Sequence, residues 1–217
     1  MTGGGRRLPV LDAGRLPDAE PPFTCIAIVG LGQIGASLGL AARQAWPKAL
    51  VVGVDANDVL ERAVRLHAVD LGADDLVVAA GADLLVLAST EAANLATIAR
   101  LPEYLNGECT VTDVGASKRD IVDAATALPS RLAFVGGDPL LASDPAGRSP
   151  HAGLEAARAE AFRDRFWVLT PAAGASVAAG RLAQFVRGVG AIPVEMTTDR
   201  HDQLIPYLNH LREWSGL

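Results

Sequence analysis

The sequence predicts an α/β fold on a doubly wound, mostly parallel sheet. Three observations carry that prediction. Short apolar runs alternate with helical patterns along the chain, beginning with Cys25–Val29 and Leu50–Val54. Runs of this kind suit strands buried under helices on both faces. The first run breaks into Gly30-Leu31-Gly32-Gln33-Ile34-Gly35, and the second ends in Asp55, 20 residues beyond Gly35. Strand, glycine turn, helix, strand and acid is the order of a Rossmann dinucleotide site. Gly30 permits the tight turn, Gly32 lets backbone approach a pyrophosphate, and Gly35 lets the helix pack close to its strand. Unpaired N–H groups at the helix start then face the phosphates, and Leu31, Gln33 and Ile34 are expected to bind the cofactor with the three glycines. The alternative for this stretch is a plain βαβ turn without a ligand.

Composition sets the bounds. The 217 residues are 50% hydrophobic with few aromatics, so the core is built mainly from Ala, Val, Leu and Ile. Net charge is −6, and the basic residues form no cluster beyond Arg6-Arg7. That argues against a nucleic-acid surface. No stretch reaches the roughly 18 apolar residues that span a bilayer. Arg6 and Arg7 have no apolar run behind them, so a secretory signal is not indicated. A soluble, cytoplasmic protein is the expectation. Cys25 and Cys109 lie in predicted strands without metal-ligand spacing, and are expected to be free core thiols. No metal site is expected.

Taken in order, residues 1–22 are rich in Gly, Pro and Asp, and are expected to be a disordered tail. Residues 23–196 form the dinucleotide-binding domain. Its first helix runs from about Gln33 to Ala45, before Pro47. A second follows Asp55, from about Asp58 to His67, where His67 suits a surface or cap role. Ala82–Ala88 is the next strand, and its exit, Ser89-Thr90-Glu91, opens a helix to about Leu101. Ligands collect at the carboxyl ends of such strands, so Ser89 and Thr90 should border the cofactor; either also suits a helix N-cap. Thr110–Val114 is a strand ending near Asp113, followed by a helix to about Leu128. Leu132–Val135 is another, leaving through Gly136-Gly137-Asp138-Pro139. A long irregular segment precedes a predicted helix over Leu154–Phe162. A strand (Phe166–Leu169), a helix (Ala175–Val189), a short strand (Ile192–Glu195) and a helix over Asp199–Trp214 complete the pattern.

From about Phe23 to Leu211 the chain resembles the prephenate/arogenate dehydrogenases of tyrosine biosynthesis. The resemblance rests on motifs in family order. They are Gly30 to Leu38; Thr112-Asp113-Val114-Gly115 with Lys118; Phe134-Val135-Gly136-Gly137 with Pro139; Glu155-Ala156-Ala157-Arg158 with Trp167-Val168-Leu169-Thr170-Pro171; and His201-Asp202 with His210-Leu211. The resemblance implies oxidative decarboxylation of prephenate, or the matching reaction of arogenate, by hydride transfer to NAD or NADP. It also implies a helical C-terminal domain that dimerises and completes the substrate site. Residues 197–217 are then the start of that domain, truncated at Leu217. The final helix can bury Leu204, Tyr207, Leu208 and Leu211 against a second copy, as a homodimer, or against its own sheet.

The family's proton acceptor is a histidine in Gly-Gly-His-Pro; here the position is Asp138. The family's hydroxyl-orienting serine directly follows Asp-x-Gly; here that position is Ala116, and Ser117 comes one residue later. On a helix start, one residue turns a side chain by about 100°. The candidates for handling the substrate hydroxyl are therefore Asp138, Ser117, His151 from the long loop, and His210. His201 and His210 are nine residues apart, about 180° around a helix, so they cannot both face one site; His210 is preferred. An aspartate has an ordinary pKa of about 4, and Asp138 sets a negative charge beside an anionic substrate. Lys118 either attracts a carboxylate or phosphate, or faces solvent. A non-catalytic, NAD-binding relative acting as a sensor or interaction module is the competing expectation.

Asp55 also selects the cofactor. A carboxylate there accepts hydrogen bonds from a ribose diol and repels a 2′-phosphate, and Ala56-Asn57-Asp58 adds no arginine. NAD is expected to bind more tightly than NADP when each is titrated against the protein; tighter NADP binding overturns the assignment.

Overall fold

Eight strands form one sheet in the order β3-β2-β1-β4-β5-β6-β7-β8 in a computed structural model, which describes residues 20–141, 153–204 and 207. The strands are β1 (Cys25–Val29), β2 (Leu50–Val54), β3 (Leu71–Ala73), β4 (Leu84–Leu87), β5 (Cys109–Asp113), β6 (Leu132–Pro139), β7 (Phe166–Pro171) and β8 (Ile192–Glu195). Strands β1 to β6 run parallel, in the doubly wound order. Strand β7 turns back antiparallel to β6, with Asp138 opposite Val168, and β8 lies parallel to β7. The predicted fold class is observed.

Both faces of the sheet are covered, which is why its central strands read as unbroken apolar runs. Ile26 and Ile28 point into a core shared with α1 (Gln33–Ala45), α2 (Asn57–Arg65) and α5 (Ser176–Gly188). Ala27 and Val29 point the other way, toward α3 (Glu91–Tyr104) and α4 (Arg119–Ala125). A last helix, α6, is described over 198–204.

Most predicted elements appear with small boundary shifts, and the exceptions have local causes. Strand β3 went unpredicted because three residues, mostly exposed, carry no hydrophobic pattern. Helix α2 stops at Arg65 because His67 turns left-handed, at φ 57°. Ala68 then donates to Ala63 O and His67 to Val64 O, the paired bonds of a Schellman cap. His67 is thus a helix terminator. The helix expected over Leu154–Phe162 is instead two 3₁₀ turns, Leu154–Ala156 and Ala159–Phe162. The backbone between them extends at Arg158, whose N–H donates to Ser37 Oγ on α1 at 2.9 Å. That bond uses a donor which a continuous helix would have consumed internally.

The start of β1 is stapled by Asp83, just before β4. Its carboxylate accepts the N–H groups of Thr24 and Cys25 at 2.9–3.1 Å and meets Arg181 at 3.5 Å. Arg181 also lies over the Phe23 ring. Both cysteines are free; Cys109 is buried and Cys25 half-buried. Burial, with Asp83 nearby, pushes the Cys109 thiol up to about 12. Asp83→Ala strips one acceptor from two N–H groups and should cost about 1–3 kcal/mol in a denaturant titration. Alkylation of the native protein near pH 8 should spare Cys109, which should react on unfolding.

Candidate functional site

The carboxyl ends of β1, β4, β5 and β6 meet at one edge of the sheet, where the glycine turn begins α1. Gly30 has φ +95°, and a Cβ there would lie 2.7 Å from the backbone of Ala88 and Ser89. At Gly35 a Cβ would lie 2.0 Å from Gly30 O, so α1 approaches its own strand as closely as backbone allows. Gly32 differs: a Cβ there would meet nothing within 4 Å. The turn is tight on its protein side and open on its outer side. Gly32 is also the N-cap of α1, and no side chain caps it. Helix N–H groups are thus left facing open space, which fits an anionic pyrophosphate. Gln33 and Ile34 form the first turn above that opening, and Gln33 Oε1 is buried without a partner.

Asp55 follows β2 and closes on the same turn. Its Oδ2 accepts the Leu31 N–H at 2.6 Å and its Oδ1 accepts the Ala56 N–H at 2.7 Å. The acid therefore sits beside the glycine loop, where a ribose diol would be read. Arg62, one turn into α2, is turned toward the carboxylates of Asp58 and Glu155.

Beyond β4, Ser89 and Thr90 are exposed in the exit loop. Thr90 is the N-cap of α3 and accepts the Ala93 N–H. The loop is pinned by Asn94, which is 2% exposed; its side chain accepts from Ser89 N–H and donates to the carbonyls of Leu87 and Ser89. Sequence reasoning missed Asn94, whose one signal is an amide on an otherwise apolar helix face. A small cleft opens here, lined by Ser89, Glu91, Asn94, Asp113, Ala116 and Ser117 among others.

Asp113 forms the floor of the site. Its Oδ1 accepts the Gly137 N–H at 3.0 Å, and its Oδ2 accepts the Gly115 N–H at 2.9 Å and the Lys118 ammonium. Lys118 is fully buried, so it neither faces solvent nor offers its charge to a ligand from outside. Burial pushes the Asp113 carboxyl up, against the pull of Lys118 and the two N–H groups. Asp113 thus lines the cleft while its oxygens hold the loops together. Helix α4 begins only at Arg119, so Ala116 and Ser117 both lie in the preceding loop. The 100° rotation expected between them on a helix does not apply, and both reach the cleft wall.

Asp138 lies near the end of β6, 2% exposed. Facing it is His201, also buried, with Nε2 3.2 Å from Asp138 Oδ2 and Nδ1 3.0 Å from Asp202 Oδ1. Burial pulls the imidazole pKa down, but bonds to Asp138 and Asp202 and the Asp138 charge raise it further, so it ends above 6.5. His201, ranked below His210 on sequence grounds, is the histidine the structure brings to position 138. The signal was available in the His201-Asp202 pair, but a distance of 63 residues along the chain concealed its partner. His151 and His210 lie outside the described residues, as do Leu208 and Leu211. Tyr207 is 68% exposed.

Two outcomes follow from this geometry. Gly35→Ala should lower nucleotide affinity by about tenfold or more and cost about 1–3 kcal/mol of stability, read by calorimetry and thermal melting. The His201 pKa is raised on folding. Its stabilisation is therefore full below about pH 6.5 and lost as pH rises through the higher folded value. His201→Asn should flatten that part of the stability–pH curve.

Known proteins place this geometry in a family. The profile of the family described as prephenate dehydrogenase, nucleotide-binding domain, matches residues 38–199. The chain is 32% identical over 194 residues to the prephenate dehydrogenase of Bacillus subtilis (strain 168), covering 85% of this chain and 50% of that one. It overlays the crystal structure of Synechocystis arogenate dehydrogenase with TM-score 0.76 at 28% identity, covering 86% and 64% of the two chains. It also overlays the prephenate dehydrogenase of A. aeolicus in complex with hydroxyphenyl propionate and NAD+, with TM-score 0.74 at 25% identity, covering 83% and 62%. The chain spans about half the length of the curated relatives it matches. With an open glycine turn, an acid after β2 and this span of similarity, the chain belongs to the prephenate dehydrogenase family and carries its nucleotide-binding domain.

Proposed function

We propose that the chain binds NAD and serves an NAD-dependent dehydrogenase acting on prephenate or arogenate. The observation that carries the cofactor half is the glycine turn: open outside Gly32, uncapped at the α1 start, and closed on one side by Asp55. The relative solved with NAD+ and hydroxyphenyl propionate supports both halves. Bound NAD supplies the hydride acceptor. The backbone of Gly30 to Gly35 holds the pyrophosphate against the α1 dipole. Asp55 exchanges its hydrogen bonds for those of a ribose diol and disfavours a 2′-phosphate. Ser89 and Thr90 flank the cleft from β4. Asp113 fixes the loops around it and keeps Ser117 at the cleft wall. Asp138 takes the proton of the substrate hydroxyl as the hydride leaves, with Ser117 orienting that hydroxyl. Proton removal assists hydride departure, and loss of the ring carboxylate makes the step irreversible.

A second reading is favoured by two positions. Ala116 offers no hydroxyl, and the carboxylate of Asp138 is engaged by His201. A protein that binds NAD without turning over substrate fits these two positions. Incubation with NAD and prephenate separates the readings. The first expects NADH absorbance to rise with formation of 4-hydroxyphenylpyruvate. NAD binding with no NADH leaves the second.

A further inference from the structure

We propose that Glu91 is a specificity-determining residue of the nucleotide site: its carboxylate favours the oxidised, cationic nicotinamide ring over the reduced, neutral one. The inference rests on the NAD reading above and deepens it.

The strand order places the two halves of the dinucleotide. On that reading Asp55, after β2, takes the adenosine ribose, and the glycine turn after β1 takes the pyrophosphate. In the sheet β2 and β4 flank β1 on opposite sides, and β5 lies beyond β4. A dinucleotide that starts at β2 and crosses β1 therefore carries its second nucleotide over the ends of β4 and β5. The cleft between the exit loops of those two strands lies there, and Glu91 is part of its wall.

Two carboxylates line this cleft, and they differ in their company. Asp113 is buried, and the Lys118 ammonium beside it cancels its charge. Glu91 is exposed, and among the described residues no cation pairs with it. No lysine, arginine or histidine is among the described residues that line the cleft. The uncancelled charge facing a ligand there is that of Glu91. Its backbone is also held in place. Glu91 opens α3 directly after Thr90, whose side chain accepts the Ala93 N–H, and the loop before it is pinned through Ser89 by Asn94.

Oxidised nicotinamide carries a positive charge on its ring; the reduced ring, having gained a hydride, carries none. The rest of the molecule is the same. A fixed carboxylate beside the ring therefore separates the affinities of the two forms, while its repulsion of the pyrophosphate is common to both. Water screens an exposed carboxylate, so the separation is about fivefold and shrinks as salt is added. By linkage, the same factor loosens the hold on the cofactor once the hydride has arrived. An acid in a first helical turn also complements the helix dipole, but that effect is blind to the oxidation state of a ligand.

Calorimetric titration of the chain with NAD+, NADH and ADP-ribose, which lacks the nicotinamide ring, tests this. Wild type should bind NAD+ more tightly than NADH. Glu91→Gln should cut the ratio of Kd for NADH to Kd for NAD+ about fivefold, with ADP-ribose reporting any change common to all three ligands. Glu91→Asp should keep most of the wild-type ratio. Raising salt from about 0.1 M to about 1 M should lower the ratio in wild type and leave it nearly flat in Glu91→Gln. A lower melting temperature in Glu91→Gln with the ratio unchanged shows a helix-end role alone and overturns the inference while NAD binding stands. A wild type that binds none of the three ligands overturns the NAD reading, and this inference with it.

Discussion

The carboxylate of Asp113 is the contact on which the β5–β6 side of the cleft depends. It joins the end of β5 to the loop at Gly115, to the middle of Gly136-Gly137-Asp138 on β6, and to Lys118 before α4. A buried carboxylate is tolerable only when charge and N–H groups satisfy it, and here both do. Each satisfied bond also fixes a piece of backbone. The cleft wall at Ser117 and the placement of Asp138 are outcomes of solving one desolvation problem.

That dependence explains what was legible in the sequence. The nucleotide half could be read because it is local: strand, turn, helix and acid fall within residues 24–55, and each role needs one residue type at a short spacing. The strands were legible because burial on both faces leaves continuous apolar runs. Strand β3 has three residues and no such run. The two 3₁₀ turns after Gly153 resembled a helix in composition, yet a tertiary bond from Arg158 to Ser37 decided their form. Propensity is a weak prior against such a bond.

The side of the site around Asp113 and Asp138 was less legible because its parts are long-range. Lys118 looked like a free cation in the sequence, but the fold places it wholly inside, on Asp113. His201 looked like the lesser of two histidines on one helix, but β6 supplies its partner. Position 138 carries an acid where the family uses an imidazole, and a helix much later in the chain brings an imidazole to it. The sequence shows both residues; only the reversal at β7 and the course of α5 and β8 bring them together.

The strand order also determines how the sheet ends. Among the described residues its outer strands are β3 and β8, with three and four residues. Both are short, and β8 contains Pro193, which has no N–H to offer. Glu195 closes that strand with a charge. A sheet with such apolar interior strands would be a template for lateral pairing if its margins were long and flat. Short margins, a missing donor and a terminal carboxylate deny a second sheet the run of hydrogen bonds needed to extend it. Resistance to edge-to-edge aggregation is thus built into the two strands that contribute least to the site.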